Sequence, residues 1–437
     1  MTTSSPTPRT YVGFGFGAIQ AGLFLYEAFR SGKFTRLVVA EVVPDVVNAV
    51  REAGGFFIVN IAHPDRVESA KVGPVEIYNP ADAADREKLV AALAEAAEIG
   101  TAVPSVDCYR SPGPGSLHKV LAAGLGRKAE TSGARSVVYA AENHNRAAEI
   151  LEGLVMPEIP AARHGAVHWR ARFLNTVIGK MSGLVGGDAG LPPVTPGGSR
   201  AFLVEAFNRI LITQVEFPDQ VPFERGLSVF EEKPDLLPFE EAKLFGHNAT
   251  HALAAYLAML AGVEKIAGLR ELPGAMDFLR GAFVNESGAA LVAKYAGADP
   301  LFTKAGYAAY ADDLLARMTN PHLMDSAERV GRDVKRKLAW DDRFIGTMRE
   351  CLAQRLGPRR YAIGAAAAFA ALDRATLASG PALAKAAREL WAGASRDVFQ
   401  ERQVLELLES GRAFLAAWLA AGKPNLEAHF AAPGVQR

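Results

Sequence analysis

Lys243, Asn248 and His251 are residue types that together can take up a proton and steady a developing negative charge. They stand within nine residues, in the stretch Lys-Leu-Phe-Gly-His-Asn-Ala-Thr-His. A lysine serves as a base when burial disfavours its charged form. An amide beside it donates to an oxyanion without titrating itself, and a histidine can orient either group. On an α-helix at about 100° per residue, Asn248 falls roughly 140° and His251 roughly 80° from Lys243, which puts all three on one side. Gly246, with no Cβ, lets another group approach closely. The apolar run from Ala252 to Ala261 reads as the helix these residues open. The same residues also fit a capped helix start with a solvated lysine and histidine, and the triplet alone leaves both readings open.

His247 and His251 stand at i and i+4, the spacing of a helical zinc pair. The Asn-Ala-Thr between them has no glutamate where a metalloprotease helix carries its base, and no third ligand follows. No metal is expected.

The elements that would position a partner for this chemistry begin at the other end of the chain. Tyr11 to Gly17, Tyr-Val-Gly-Phe-Gly-Phe-Gly, reads as a short buried strand entering a tight glycine turn. A helix over residues 18–30 and a second strand over 37–41 follow, the latter ending in Glu41. This is the opening of a dinucleotide-binding βαβ unit. Gly15 and Gly17 would allow the turn and the approach of a pyrophosphate to the helix N-terminus, where Ala18 and Ile19 stand. Glu41, 24 residues beyond Gly17, would accept hydrogen bonds from the adenosine ribose hydroxyls and so favour NAD over NADP. Gln20 occupies the place of the third glycine of G-x-G-x-x-G, and Gly22 comes two residues later.

An α/β alternation continues through residues 55–60 and 72–78, with a periodic helix over 84–97. Ala102 and Val103, at the end of a strand, would touch the nicotinamide half of a cofactor if the sheet is doubly wound; an ordinary buried strand end reads the same way. The apolar run from Ser136 stops in a polar loop that places Glu142 and Asn143 at the carboxyl edge of the sheet. Residues 181–199 are dense in Gly and Pro, as in a surface loop or insertion. Residues 203–217 and 227–230 would add strands, and Pro234 and Pro238 mark a linker. Beyond it, Ala-rich amphipathic helices run to residue 419. The expected fold is an α/β Rossmann-type dinucleotide-binding domain over residues 1–235, with a disordered tail at 1–10, then a mainly α-helical domain over 236–437. A basic segment between Ala327 and Arg343 could clamp a phosphate or polyol hydroxyls, although a solvated helical face is the commoner reason for such a run.

With 437 residues, 49% of them hydrophobic, the chain can fill two cores. Forty-eight basic residues balance forty-eight acidic ones, which gives no general pull toward nucleic acid or an anionic membrane. Cys108 and Cys351 are the two cysteines, far apart and outside any CxxC, as expected of a reducing compartment. The first residues lack the apolar core of a signal peptide, and no apolar run reaches spanning length uninterrupted by charge. A cytoplasmic protein is expected.

Taken together, these motifs resemble those of the polyol-specific long-chain dehydrogenase family. The residues that carry the resemblance are Gly15 to Gly22, Thr101-Ala-Val103, Glu142-Asn143, Lys243-x4-Asn248-x2-His251 leading into Ala255-Tyr256-Leu257, Asn320-Pro321, and Arg329 to Leu338. The resemblance implies that Lys243 is the general base, that Asn143 and Asn248 form an oxyanion hole, and that His251 helps to hold substrate. It places Arg329, Lys337 and Arg343 at the substrate and needs no metal. The implied reaction is reversible hydride transfer between NAD and a secondary alcohol of a polyol or polyol phosphate, with mannitol 1-phosphate and fructose 6-phosphate as the leading pair. A free polyol, sugar acid or cyclitol is the alternative substrate, and a nucleotide-sensing module on the same fold is the non-enzyme alternative. A small-molecule substrate is the expected partner, in a monomer or homodimer.

Overall fold

Val12, Val38, Ile99, Val137 and Val138 have no exposed surface, as expected of short strands covered on both faces in a parallel sheet. A computed structural model describes residues 9–432, which divide into two compact units between Leu237 and Pro238. In the first unit the strands are β1 (Thr10–Phe14), β2 (Arg36–Ala40), β3 (Phe57–Ala62), β4 (Val67–Val72), β5 (Glu76–Tyr78) and β6 (Ala96–Thr101). They continue with β7 (Ser136–Ala140), β8 (Ala171–Val177), β9 (Ser182–Gly186), β10 (Arg200–Glu205), β11 (Ile210–Thr213) and β12 (Phe230–Lys233).

Eight of these form one sheet in the order β12-β11-β8-β7-β6-β1-β2-β5. From β5 to β8 every pairing is parallel; β11 then joins antiparallel to β8, and β12 parallel to β11. The parallel part has the doubly wound dinucleotide-binding order, whose direction reverses between β1 and β6. The turns after those two strands therefore flank the crevice where such sheets take their ligands.

Several expectations change. Residues 182–186 are not loop, because β9 pairs antiparallel with β10 in a second sheet of order β4-β3-β10-β9. The β3 strand belongs to this second sheet too, and only the three residues of β5 extend the first. The periodic helix ends at Glu95, and Ala96 already begins β6, because Ala-Ala continues a helical pattern as readily as it starts a strand. The run over 203–217 is two separate strands. Thr10, placed in the expected tail, is the first residue of β1; residues 1–8 of that tail lie outside the described residues.

The third-glycine question has a physical answer. The helix after the glycine turn contains a π segment, Gln20–Leu25, before Tyr26–Ser31. Gln20 turns into the core, where its Nε2 donates to the Tyr11 hydroxyl at 2.8 Å over Gly13, whose missing Cβ would lie 1.9 Å from that nitrogen. Close helix–sheet packing, the usual work of the third glycine, falls to Gly22, where a Cβ would come within 2.4 Å of Val204 Cγ1 in β10. Gly22→Ala is expected to lower stability by about 1–3 kcal/mol through overpacking, measurable by denaturant unfolding; an unchanged midpoint would show that β10 can retreat.

The second unit is helical, and among its described residues strand pairing is limited to the isolated bridge between Lys265 and Ser326. The helices continue past residue 419, ending with Leu426–Ala431. Glycines set the spacing of its long helices: a Cβ at Gly411 would meet the Ala362 carbonyl oxygen at 2.5 Å, and one at Gly364 would meet Leu253 Cδ1 at 2.4 Å. Among the described residues no helix is long and apolar enough to cross a membrane.

Candidate active site

In the first unit, Gly15 has φ +83°, and a Cβ there would strike the Ala102 carbonyl oxygen at 2.8 Å. The β1 turn and the β6 turn thus touch backbone to backbone. Glu41 ties the same loop together: one carboxylate oxygen accepts from the Phe16 N–H at 2.9 Å, and the other accepts from the Val42 and Val43 N–H groups at 2.7 and 2.9 Å. Beside Gly17 the space where a Cβ would point is open to 4 Å, and Ala18 and Ile19 begin the helix immediately after it. An acid fixed at the end of β2, a glycine with open space and a helix start at the switch point fit a dinucleotide.

Val103 is held by a residue that the motif included without a role. Glu142, buried, accepts from the Val103 N–H at 2.9 Å, from Thr101 Oγ1 at 2.9 Å and from the Tyr109 hydroxyl. Burial pushes its carboxyl up, against the opposing effect of these bonds. Asn143, next in the chain, is exposed at the carboxyl end of β7.

In the second unit, the lysine stretch is not a helix start. Residues 237–261 are continuously helical, and the part from Ala242 to Asn248 is a second π segment between Leu237–Glu241 and Ala249–Ala261. The side chain that accepts at the start of this helix is Asp235, from the Leu237 N–H at 2.9 Å; Asn248 makes no cap and has helical dihedrals itself. The capped-start reading is thereby replaced by a mid-helix one. In a π turn the bonding is i→i+5, so Asn248 stands one turn beyond Lys243 instead of roughly 140° round from it, the angle an α-helix gives. What approaches Gly246 is the unit's own core: a Cβ there would lie 2.5 Å from the Tyr307 hydroxyl and 2.7 Å from Phe283 Cε2, on a third π segment, Ala282–Gly288.

Lys243 is half-buried. Desolvation, aided by the Arg343 cation and opposed by Glu240, brings its ammonium down to about 8. His247 and His251 face each other with ring centroids 6.1 Å apart. Burial holds His251 down to about 4, the cations of Arg329, Lys337 and Arg343 adding to the effect while Asp325 opposes it; His247 is held well below its ordinary value, again chiefly by burial. Both imidazoles are neutral at pH 7. Among the described residues no group of three or more His, Cys, Asp or Glu side chains is placed to hold a metal ion.

The basic segment sorts itself by exposure. It folds as two short helices, Ala327–Gly331 and Val334–Lys337, with Asp333 between them at φ +59°. Arg332, Lys335 and Arg336 are exposed, whereas Lys337 and Arg343 are buried and Arg329 is half-buried. The Lys337 Nζ donates to the Arg332 carbonyl oxygen, and its ammonium is lowered to about 8, first by burial and then by Arg343. Arg343 donates to Asp342 Oδ1 at 2.6 Å. Arg329 pairs with Asp325, a buried carboxylate the sequence reading missed; its spacing four residues before the arginine was the available signal.

A doubly wound α/β unit followed by a helical unit with a depressed lysine, an amide and inward-facing cations is the make-up of a two-domain dehydrogenase. Residues 235–414 match the model of the mannitol dehydrogenase C-terminal domain. A mannitol-1-phosphate 5-dehydrogenase of Arthrobacter sp. (strain FB24) is 30% identical over 364 residues, 82% of this chain and 84% of that protein. One of Pseudarthrobacter chlorophenolicus is 29% identical over 93% of this chain and 98% of its own length. In fold, the chain is similar to the Pseudomonas fluorescens mannitol 2-dehydrogenase, solved as a ternary complex with NAD and D-mannitol, with TM-score 0.68 at 14% identity, covering 98% of this chain and 95% of that one. The chain belongs to the mannitol dehydrogenase family and is an oxidoreductase.

Proposed function

We propose that this dehydrogenase uses NAD and acts on a secondary alcohol of a polyol phosphate, interconverting mannitol 1-phosphate and fructose 6-phosphate. The observation that carries the reading is Lys243, brought down to about 8 by burial one π turn from Asn248. A base of that strength is matched to proton transfer near neutral pH. Supporting the phosphate are the inward-facing Lys337 and Arg343 and the names of the two sequence relatives.

When bound, NAD supplies the hydride acceptor. In the oxidation, neutral Lys243 takes the proton of the substrate hydroxyl. The Asn248 amide donates to the oxygen as it gains negative charge, with Asn143 proposed as a further donor. His251, neutral, orients a substrate hydroxyl. Arg329, Lys337 and Arg343 receive the phosphate by charge-assisted hydrogen bonds. Glu41 holds the glycine loop and accepts from a ribose hydroxyl, while Gly15, Gly17, Ala18, Ile19, Ala102 and Val103 surround the dinucleotide.

The test is consumption of NADH, with NADPH in parallel, over fructose 6-phosphate, fructose, other ketose phosphates and keto-sugar acids. Turnover confined to fructose 6-phosphate is expected. Turnover of fructose alone would keep the mechanism and reject the phosphate. Glu41→Ala is expected to weaken NAD binding by about tenfold or more, the worth of one hydrogen bond to a charged group, with the KM for polyol nearly unchanged. An unaltered NAD affinity would remove the ribose role.

A further inference from the structure

Asp325 has a buried carboxylate and two distinct neighbours, both in the second unit. One oxygen accepts from the Arg329 guanidinium. The other, Oδ2, lies 3.7 Å from His251 Nε2. Both of these last atoms are buried and lack a hydrogen-bond partner among the described residues. A buried donor or acceptor left unpaired costs about 1–3 kcal/mol, and here two such atoms face each other across a gap that a small rotation of either side chain closes to hydrogen-bond length. The segment bearing Asp325 is itself anchored: its carbonyl accepts from the Ile266 N–H at 2.9 Å, and Lys265 and Ser326 form a bridge. The carboxylate is therefore fixed from the backbone and from Arg329, and the imidazole is the group left to be aligned.

We infer that Asp325 is a positioning residue that accepts the Nε2–H of His251 and so fixes the tautomer whose Nδ1 is an acceptor for a substrate hydroxyl. A neutral imidazole carries one donor and one acceptor nitrogen, and a carboxylate at Nε2 decides which is which. His251 is kept neutral by burial and by Arg329, Lys337 and Arg343, with Asp325 alone opposing, so the tautomer and not the charge is what remains to be chosen. The arrangement also links His251 through Asp325 to Arg329, so that one carboxylate holds a hydroxyl-binding and a phosphate-binding side chain in fixed relation. The inference rests on the reading of His251 as a substrate-binding residue.

The experiment combines nitrogen NMR of protein labelled with 15N-histidine, His251 being assigned by its loss in His251→Gln, with kinetics of Asp325→Asn, an isosteric change. In the parent, His251 is expected as the Nε2–H tautomer, and in Asp325→Asn as a mixture or the Nδ1–H form. The kcat/KM for polyol should fall by about tenfold or more with Asp325→Asn, as loss of one charge-assisted hydrogen bond implies. In a His251→Gln background the same substitution should cost clearly less than it does in the parent, because only the contact to Arg329 is then left to lose. A parent Nδ1–H tautomer, a tautomer indifferent to Asp325→Asn, or fully additive losses would each overturn the inference. If no polyol or ketose is turned over by the parent, the proposed function fails, while the NMR result still decides the role of Asp325.

Discussion

Lys243→Ala is expected to lower polyol oxidation by about 10²- to 10⁴-fold, the range that a positioned general base contributes, while NAD binding and the fold persist. The pH dependence makes the prediction specific. Burial and Arg343 bring the Lys243 ammonium to about 8, and only the neutral amine can take the hydroxyl proton. Oxidation by the parent should therefore climb with pH, about tenfold per unit, up to that value and level off above it. Reduction of the ketose needs the protonated amine and should run the opposite way, falling as pH rises past about 8. Residual activity of Lys243→Ala should lose this inflection in both directions. Steady-state rates between roughly pH 6 and pH 10, a window that brackets a base of this strength, check both statements. A variant with near-parent turnover and the same inflection would transfer the base to another group.

Lys337→Gln is expected to raise the KM for mannitol 1-phosphate by about 10- to 100-fold, as loss of a hydrogen bond to a charged group implies, and to leave unphosphorylated mannitol nearly unaffected. The reason lies in the company Lys337 keeps. It is buried, and its ammonium is lowered to about 8 by desolvation and by the cations Arg343 and Arg336. A dianionic phosphate among these groups favours the charged form of the lysine and offsets the repulsion from the two arginines. A free polyol does neither. Parallel kinetics on mannitol and mannitol 1-phosphate give the contrast directly. Equal losses on both would mean that Lys337 holds polyol hydroxyls and that the phosphate is received elsewhere or is absent from the substrate.

The parts legible from sequence were those set by local rules. The glycine turn, the acid closing β2, and the mainly helical character beyond Pro238 follow from backbone sterics and periodicity, and the structure has them. The second sheet was not legible, because β3 and β10 pair in parallel across more than a hundred residues and nothing in Phe57–Ala62 distinguishes one parallel partner from another. Strand β8, Ala-Arg-Phe-Leu-Asn-Thr-Val, alternates too weakly to stand out and is defined by β7 beside it. At the candidate site the residue types were readable but their phase was not. An α-helical wheel cannot register a π turn, so it misplaced Asn248 relative to Lys243. The roles of Glu142 and Asp325 were not legible for a related reason: the residues they face, Val103 and His251, are distant in sequence, so no local spacing joins either carboxylate to that partner.

A π turn is what a helix looks like after one residue has been inserted and the flanks have kept their register. Between Ala242 and Asn248 each turn of bonding spans one residue more than in the α-helices on either side. Shortening the stretch by that residue would leave a plain α-helix with the same apolar packing and an amide turned away from the lysine. On the function proposed above, the reaction supplies a reason to retain the extra residue, since it is what sets the amide one π turn from the lysine. The bulge is thus a place where selection for the reaction can be told apart from selection for folding, and its presence or loss in a descendant chain would report which of them was still acting.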